Sequence, residues 1–255
     1  MYLEQRSMNC SAPQKSYAFK YAQKIVLSCA ILLQARDMNI GIIGAGNVGG
    51  VLGARWAKNG HNVTFSSRDP QSESLKQLLQ RAGPSAKAGT PADAGRSSDV
   101  LLLATPWNAA QQAIESAGEL SQKVLIDATN PLLPDLTGLA VGIDTSAAEQ
   151  VANWAKGAKV VKAFNTVGAN IMADPTFPHG QVAMFFCGDD PQAKQTVASL
   201  IRELGFGALD AGPLTQARVL EPFALLWISL ALKYGYTREI AFQLLRRDIP
   251  TSGSA

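Results

Sequence analysis

From Met38 onward, short apolar runs alternate with longer stretches in which apolar residues recur every three or four positions. Runs such as "DVLLLA" and "KVLIDA" carry no polar alternation, which is the pattern of strands buried on both faces. The pattern predicts strands at Asn39–Ile43, Asn62–Phe65, Asp99–Ala104, Lys123–Asp127, Lys159–Ala163, Gln181–Cys187 and Gly207–Asp210. It predicts helices at Val48–Lys58, Gln71–Gln80, Ala109–Ala117, Ala147–Ala155 and Pro191–Leu204. The late stretch "LTQARVLEPFALLWISLALKYGYTREIAFQLLRRD" predicts a C-terminal helical pair broken near Gly235. Such alternation implies an α/β fold, a doubly wound and mostly parallel sheet of the Rossmann type with helices on both faces.

Before Met38 the pattern fails. The apolar run Ile25 to Leu33 is too short to span a bilayer, and "QARD" after it is not a convincing cleavage site. Residues 1–37 are therefore read as an extension, poorly ordered or upstream of the true start, in preference to a targeting signal.

Charge sharpens this division. The chain of 255 residues has 23 basic and 20 acidic side chains. Five of the basic and two of the acidic ones lie in residues 1–37, which leaves a neutral body with no electrostatic footprint for nucleic acid. Cys10, Cys29 and Cys187 make no disulfide framework or metal spacing, and His61 and His179 have no acidic or Cys neighbour at ligand spacing. A cytoplasmic protein without a metal site or a membrane partner is expected.

The candidate chemistry begins at "IGIIGAGNVGG". Gly44-Ala45-Gly46-Asn47-Val48-Gly49 follows a predicted strand and opens a predicted helix, the context in which GxGxxG binds a dinucleotide. Gly44 permits a tight turn, Gly46 lets the backbone approach the diphosphate, and Gly49 allows close helix–strand packing. The N–H groups around Asn47 and Val48 then face the phosphates. About 20 residues further on, where a carboxylate would hold the ribose of NAD, the chain has Ser66, Ser67 and Arg68. Two hydroxyls and a guanidinium suit the 2′-phosphate of NADP. Asp69 is read as leading into the next helix.

The segments "GIIGAGNVGG", "SSR", "LATPW", "DATNPL", "VVKAFNT", "CGDD" and "LDAGPLTQARVLEP" give residues 38–247 a more specific likeness. The chain resembles the NADP oxidoreductases that act with the deazaflavin coenzyme F420, a group that includes the dinucleotide-binding domain of STEAP-type metalloreductases. The resemblance implies that Thr105, Pro106 and Trp107 border the nicotinamide ribose and the diphosphate. Trp107 also reads as a packing residue over the next helix. Asn165 and Thr166, with Ala169 close by, stand where the family places the nicotinamide. Asn130 reads either as a contact there or as the closure of the turn before Pro131. Ser67 and Arg68 match the family's 2′-phosphate pair. Ser72 departs from the family, which usually carries a basic residue there. "DATNPL" and "KAFNT" lean toward the metalloreductase branch, whose iron chemistry depends on a membrane haem domain and is not carried over.

Hydride transfer between NADPH and a flavin-like ring requires stacked rings and excluded water, not a nucleophile. No catalytic side chain is assigned. Lys162 alone tempts as a general acid, and is read as supporting the strand end or facing solvent. The expected activity is NADPH-dependent hydride transfer to or from a deazaflavin or flavin acceptor. Reduction of a small carbonyl or imine, and a non-catalytic NADP(H) sensor, are the alternatives. The expected organisation is an NADP-binding domain at 38–212, helices at 213–247 and a tail at 248–255. The helices would cover the sheet edge and form an acceptor-pocket wall or a homodimer interface.

Overall fold

The computed structural model describes residues 37–67, 69 and 71–247. The expected leader up to residue 36, the tail at 248–255 and Arg68 lie outside the described residues. Strands and helices alternate from the first element: β1 (Asn39–Ile43), α1 (Asn47–Lys58), β2 (Asn62–Ser66), α2 (Glu73–Ala82), β3 (Ala86–Gly89) and α3 (Pro91–Ser97). There follow β4 (Val100–Leu103), α4 (Trp107–Ala117), β5 (Val124–Asp127), α5 (Ala147–Trp154), β6 (Lys159–Lys162) and α6 (Ala169–Ala173). The last elements are β7 (Ala183–Gly188), α7 (Pro191–Glu203), β8 (Gly207–Asp210), a single 3-10 turn at Leu214–Gln216, and α8 (Ala217–Leu232).

The strands form one sheet in the order β3-β2-β1-β4-β5-β6-β7-β8. Strands β1 to β6 pair in parallel, while β7 meets β6 antiparallel and carries β8 parallel to itself. The chain winds outward from β1 to β3 and then crosses back to place β4 beside β1. This reversal makes a crevice at the carboxyl ends of β1 and β4, where open α/β sheets bind ligands. The expected doubly wound, mostly parallel fold is the one found.

Burial on both faces explains why the central strands read as unbroken aliphatic runs. In β4, Val100 and Leu102 join the core layer with Trp56 and Phe65. Leu101 and Leu103 join the opposite layer with Ile114 and Val151. Each such leucine contributes roughly 2 kcal/mol by leaving water. His61 is fixed by neighbours on both ring nitrogens: Nε2 lies 2.7 Å from Glu203, and Nδ1 accepts from the Met38 N–H at 3.1 Å.

Several elements differ from expectation. Strand β3, "AKAG", has weak strand formers and is only half-buried, and it forms because β2 offers its open edge. Helix α3 is started by a capping box, with Thr90 and Asp93 bonding each other's backbone N–H and Pro91 in the first turn. The expected second C-terminal helix is absent, since 233–247 contain neither helix nor strand. Gly235 and Thr237 turn the chain through positive φ, 80° and 61°. Beyond them the carbonyls are taken by outside donors. Asn170 Nδ2 donates to Arg238, Trp227 Nε1 to Ile240 and the Ala183 N–H to Phe242. A helix would need those carbonyls for itself.

Candidate functional site

The carboxyl ends of β1, β2 and β4 surround a cleft of about 430 Å³. Gly44, Ala45 and Gly46 form one wall, Ser66 and Ser67 another, and Thr105 and Pro106 a third. Seven of the sequence-predicted residues thus meet in one place. Pro91, Gln112 and Ser116 also line the cleft, and no local sequence signal marks them.

The three glycines of the loop answer to different demands. Gly44 has φ of +102°, and a Cβ there would stand 2.6 Å from the Ala104 carbonyl oxygen. Gly49 is packed so that a Cβ would collide with the Gly44 carbonyl oxygen. Gly46 has an ordinary φ of −78°, and a Cβ there would meet nothing within 4 Å. Neither conformation nor packing therefore asks for glycine at 46. The space it leaves belongs to the cleft, at the start of α1. No side chain caps that helix, and no acidic residue sits in its first turn. The N–H groups of Asn47, Val48 and Gly49 have no partner within the helix and concentrate positive potential there.

At the end of β2, Ser66 is buried and Ser67 turns the chain. Ser67 Oγ donates to the Asp69 carbonyl at 2.8 Å and accepts the Asp69 N–H at 3.1 Å. The Asp69 carboxylate accepts the Gln71 N–H at 3.0 Å. It points along the chain toward α2, whose N-cap is Ser72.

A second group of predicted residues gathers at the ends of β5 and β6. Phe164, fully buried, takes the left-handed backbone conformation with φ of 61°. That turn is costly for a residue other than glycine, and it redirects the chain so that Asn165 faces Asn130. Asn130 Nδ2 donates to the Asn165 carbonyl at 3.0 Å, which leaves its Oδ1 to accept from Asn165 Nδ2 at 3.2 Å. Asn165 Nδ2 also donates to the Leu220 carbonyl at 3.1 Å. Both acceptors call for a donor, so the amide orientation is determined and Asn165 presents its Oδ1 as a free acceptor. Asn130 thus does more than close the turn before Pro131. Ala169 opens the short helix α6 nearby in sequence.

Four buried side-chain oxygens or nitrogens lack a hydrogen-bond partner among the described residues, and three follow the carboxyl ends of strands: Thr105 Oγ1, Asn165 Oδ1 and Thr166 Oγ1. The fourth, Ser98 Oγ, lies at the opposite end of β4. Each unmade bond costs about 1–3 kcal/mol. Polar groups left unpaired at the ends of β4 and β6, and the open space at Gly46, fit a dinucleotide laid along the strand ends.

Trp107 does not line the cleft. It opens α4 and stacks on Trp154 of α5, with ring centroids 5.2 Å apart and planes 28° from parallel. Its contact is thus with α5, not over the helix it opens.

Lys162 neither faces solvent nor points into the cleft. It is fully buried, 2.9 Å from Asp127 and 2.8 Å from Glu221, and it donates to the Thr129 carbonyl at 2.7 Å. Burial works to lower its pKa, but the two carboxylates outweigh burial and the net shift is upward. Asp127 also accepts from the Thr129 N–H and hydroxyl, while Glu221 accepts the N–H groups of Ala147 and Ala148 at the start of α5. Burial acts the other way on the Cys187 thiol and pushes it up to about 12. The sequence alone did not mark Glu221. Its partners lie 59 to 74 positions away, so no local spacing could have done so.

Among the described residues, no three His, Cys, Asp or Glu side chains stand together to hold a metal, and no helix is long and apolar enough to cross a membrane.

Residues 39–131 match the family described as NADP oxidoreductase, coenzyme F420-dependent. The F420-dependent NADP reductase of Methanothermobacter marburgensis is 32% identical over 210 residues, covering 77% of this chain and 93% of that protein. The metalloreductase STEAP3 of Rattus norvegicus is 30% identical over 224 residues, covering 82% of this chain but 44% of the relative. A crystal structure described as a putative F420-dependent NADP reductase from Arthrobacter superposes with a TM-score of 0.75 at 32% identity, covering 82% of this chain and all of that one. With the doubly wound sheet, the glycine loop and 93% coverage of the F420-dependent NADP reductase at 32% identity, this chain belongs to the family of coenzyme F420-dependent NADP oxidoreductases.

Proposed function

We propose that this protein is an NADPH-dependent oxidoreductase that passes a hydride between NADP(H) and a deazaflavin or other flavin-like acceptor. The observation that carries the reading is the open space at Gly46, a position where nothing in the fold itself demands glycine. The relatives' names supply the acceptor class.

In this reading Gly44, Ala45 and Gly46 hold the diphosphate against the first turn of α1, with the N–H groups of Asn47, Val48 and Gly49 directed at its charge. Ser66, Ser67 and Arg68 hold the 2′-phosphate, Arg68 by its residue type and position in the sequence. Thr105 and Pro106 border the ribose and diphosphate. Asn130, Asn165, Thr166 and Ala169 receive the nicotinamide end, where Asn165 Oδ1 accepts from the carboxamide. When bound, NADPH supplies the hydride. No side chain of this chain moves a proton in that step. The residues bind, orient the ring and exclude water. Helix α8 walls the acceptor side. Val219 and Leu226, seven positions apart, expose one apolar stripe of it, which we assign to a second copy of the chain.

Stopped-flow absorbance at the NADPH band tests the reading. Rapid NADPH oxidation with a deazaflavin or FMN is the expected result. Tight NADPH binding with no oxidation by deazaflavin, FMN or ferric chelate would instead favour a redox sensor, and oxidation only with a small carbonyl or imine would replace the acceptor class.

A further inference from the structure

The buried Asp127–Lys162–Glu221 group is not needed to close the sheet. Strands β5 and β6 already pair through their backbones, with Asp127 opposite Lys162 in register. What the group adds is a third element. Glu221 comes from α8 and joins the ends of β5 and β6 to the start of α5. Its carboxylate has three donors: the Lys162 ammonium and two helix N–H groups. Both oxygens are occupied, so the first turns of α8 are held in one position.

That position matters one residue earlier. The carbonyl of Leu220 is the acceptor that, with Asn130 Oδ1, takes the donors of Asn165 and leaves Asn165 Oδ1 free. On the other side of the same group, Lys162 donates to the carbonyl of Thr129, the neighbour of Asn130. Both partners of Asn165 are thus anchored by the same buried charges.

We propose that Glu221 is a positioning residue for the nicotinamide end of the site: it holds α8 so that Leu220 and Asn130 together present Asn165 as an acceptor to the cofactor. The inference rests on the proposed NADP(H) site. It assigns a role to a residue that touches neither cofactor nor acceptor. Glu221→Gln removes one charge with little change in shape. The amide can accept only through Oε1, and its NH2 group must then oppose the Lys162 ammonium or a helix N–H. Asn165 should then lose its fixed orientation while the adenosine half of the site is untouched.

The test compares two ligands on the full chain. NADPH reports both halves of the site, and adenosine 2′,5′-bisphosphate reports the adenosine half alone. Glu221→Gln should weaken NADPH by up to about tenfold, the worth of one hydrogen bond between Asn165 and the cofactor. It should leave adenosine 2′,5′-bisphosphate within roughly twofold, the usual limit for independent sites. In an Asn165→Ala background the same substitution should have no further effect on the ratio of the two affinities. Equal weakening of both ligands, or additive effects of the two substitutions, would overturn the proposal and leave Glu221 a structural residue. Should Glu221→Gln fail to fold, Glu221→Asp carries the same comparison, since it keeps the charge and withdraws it by one methylene. If the parent chain binds neither ligand, the NADP(H) reading itself fails, an outcome distinct from a failure of the positioning role.

Discussion

The two groups of candidate residues are built by different means. The glycine loop is local: Gly44 to Gly49, one strand and the first turn of one helix make it within a dozen residues of sequence. The group at the ends of β5 and β6 is assembled from afar. Asn130 and Asn165 meet across 35 positions, Asn165 reaches Leu220 across 55, and Glu221 reaches α5 across 74. A local site is encoded as a motif and tolerates little change within it. A distributed site depends on whichever contacts keep its elements in register, and here those contacts are buried charges.

Lys162→Met should break this contrast most severely. It leaves the carboxylates of Asp127 and Glu221 buried without their cation, a change that costs about 3–5 kcal/mol. In a domain of this size that lowers the melting temperature by roughly 10 °C, measurable by calorimetry. The pH dependence has a definite sign. Because the folded-state pKa of Lys162 is raised, the stabilisation is complete below the ordinary lysine value of about 10.4 and fades as pH rises through the higher folded value. The gap in stability between the parent and Lys162→Met should therefore hold steady from neutral pH to about 10 and narrow above it.

Gly46→Val probes the other group and should do the reverse. Its side chain meets open space, so the stability cost should be that of a poorer N-cap residue alone, about 1 kcal/mol. NADPH affinity, read by fluorescence titration, should fall by about tenfold or more because the diphosphate loses its approach. A smaller change is expected at Thr90→Ala. Loss of the capping box at α3 should cost about 1 kcal/mol in denaturant unfolding. Smallest of all is the response of Cys187. With its thiol pushed up to about 12, alkylation followed by peptide mapping should find it unmodified in the folded chain at pH 8.

Much of the fold was legible because its strands are buried on both faces. "VLLL" and "VLID" declare themselves without any knowledge of their neighbours. Strand β3 was not legible, since "AKAG" is a strand only by virtue of the edge of β2. Helix α3 carried a readable signal, Thr90-Pro91 with Asp93 three positions after the cap, that an apolar-periodicity reading passes over. The second C-terminal helix failed for the opposite reason. Its apolar residues suit a helix, but Asn170, Trp227 and Ala183 claim the backbone carbonyls it would need. The same division runs through the site. Gly44, Gly46 and the Ser66–Ser67 pair were visible in the chain and meet in the cleft. The orientation of Asn165, the backbone turn at Phe164 and the burial of Lys162 depend on partners no sequence window contains.

The central claim is that the end of β2 selects the 2′-phosphate, and Arg68→Glu tests it most directly. With NADPH and NADH titrated in parallel against parent and variant, NADPH affinity should fall by about a hundredfold, as loss of a charge-assisted pair and its reversal would require, while NADH affinity is unchanged or improved. Equal losses for both cofactors, or a parent chain that binds NADH as tightly as NADPH, would contradict the account.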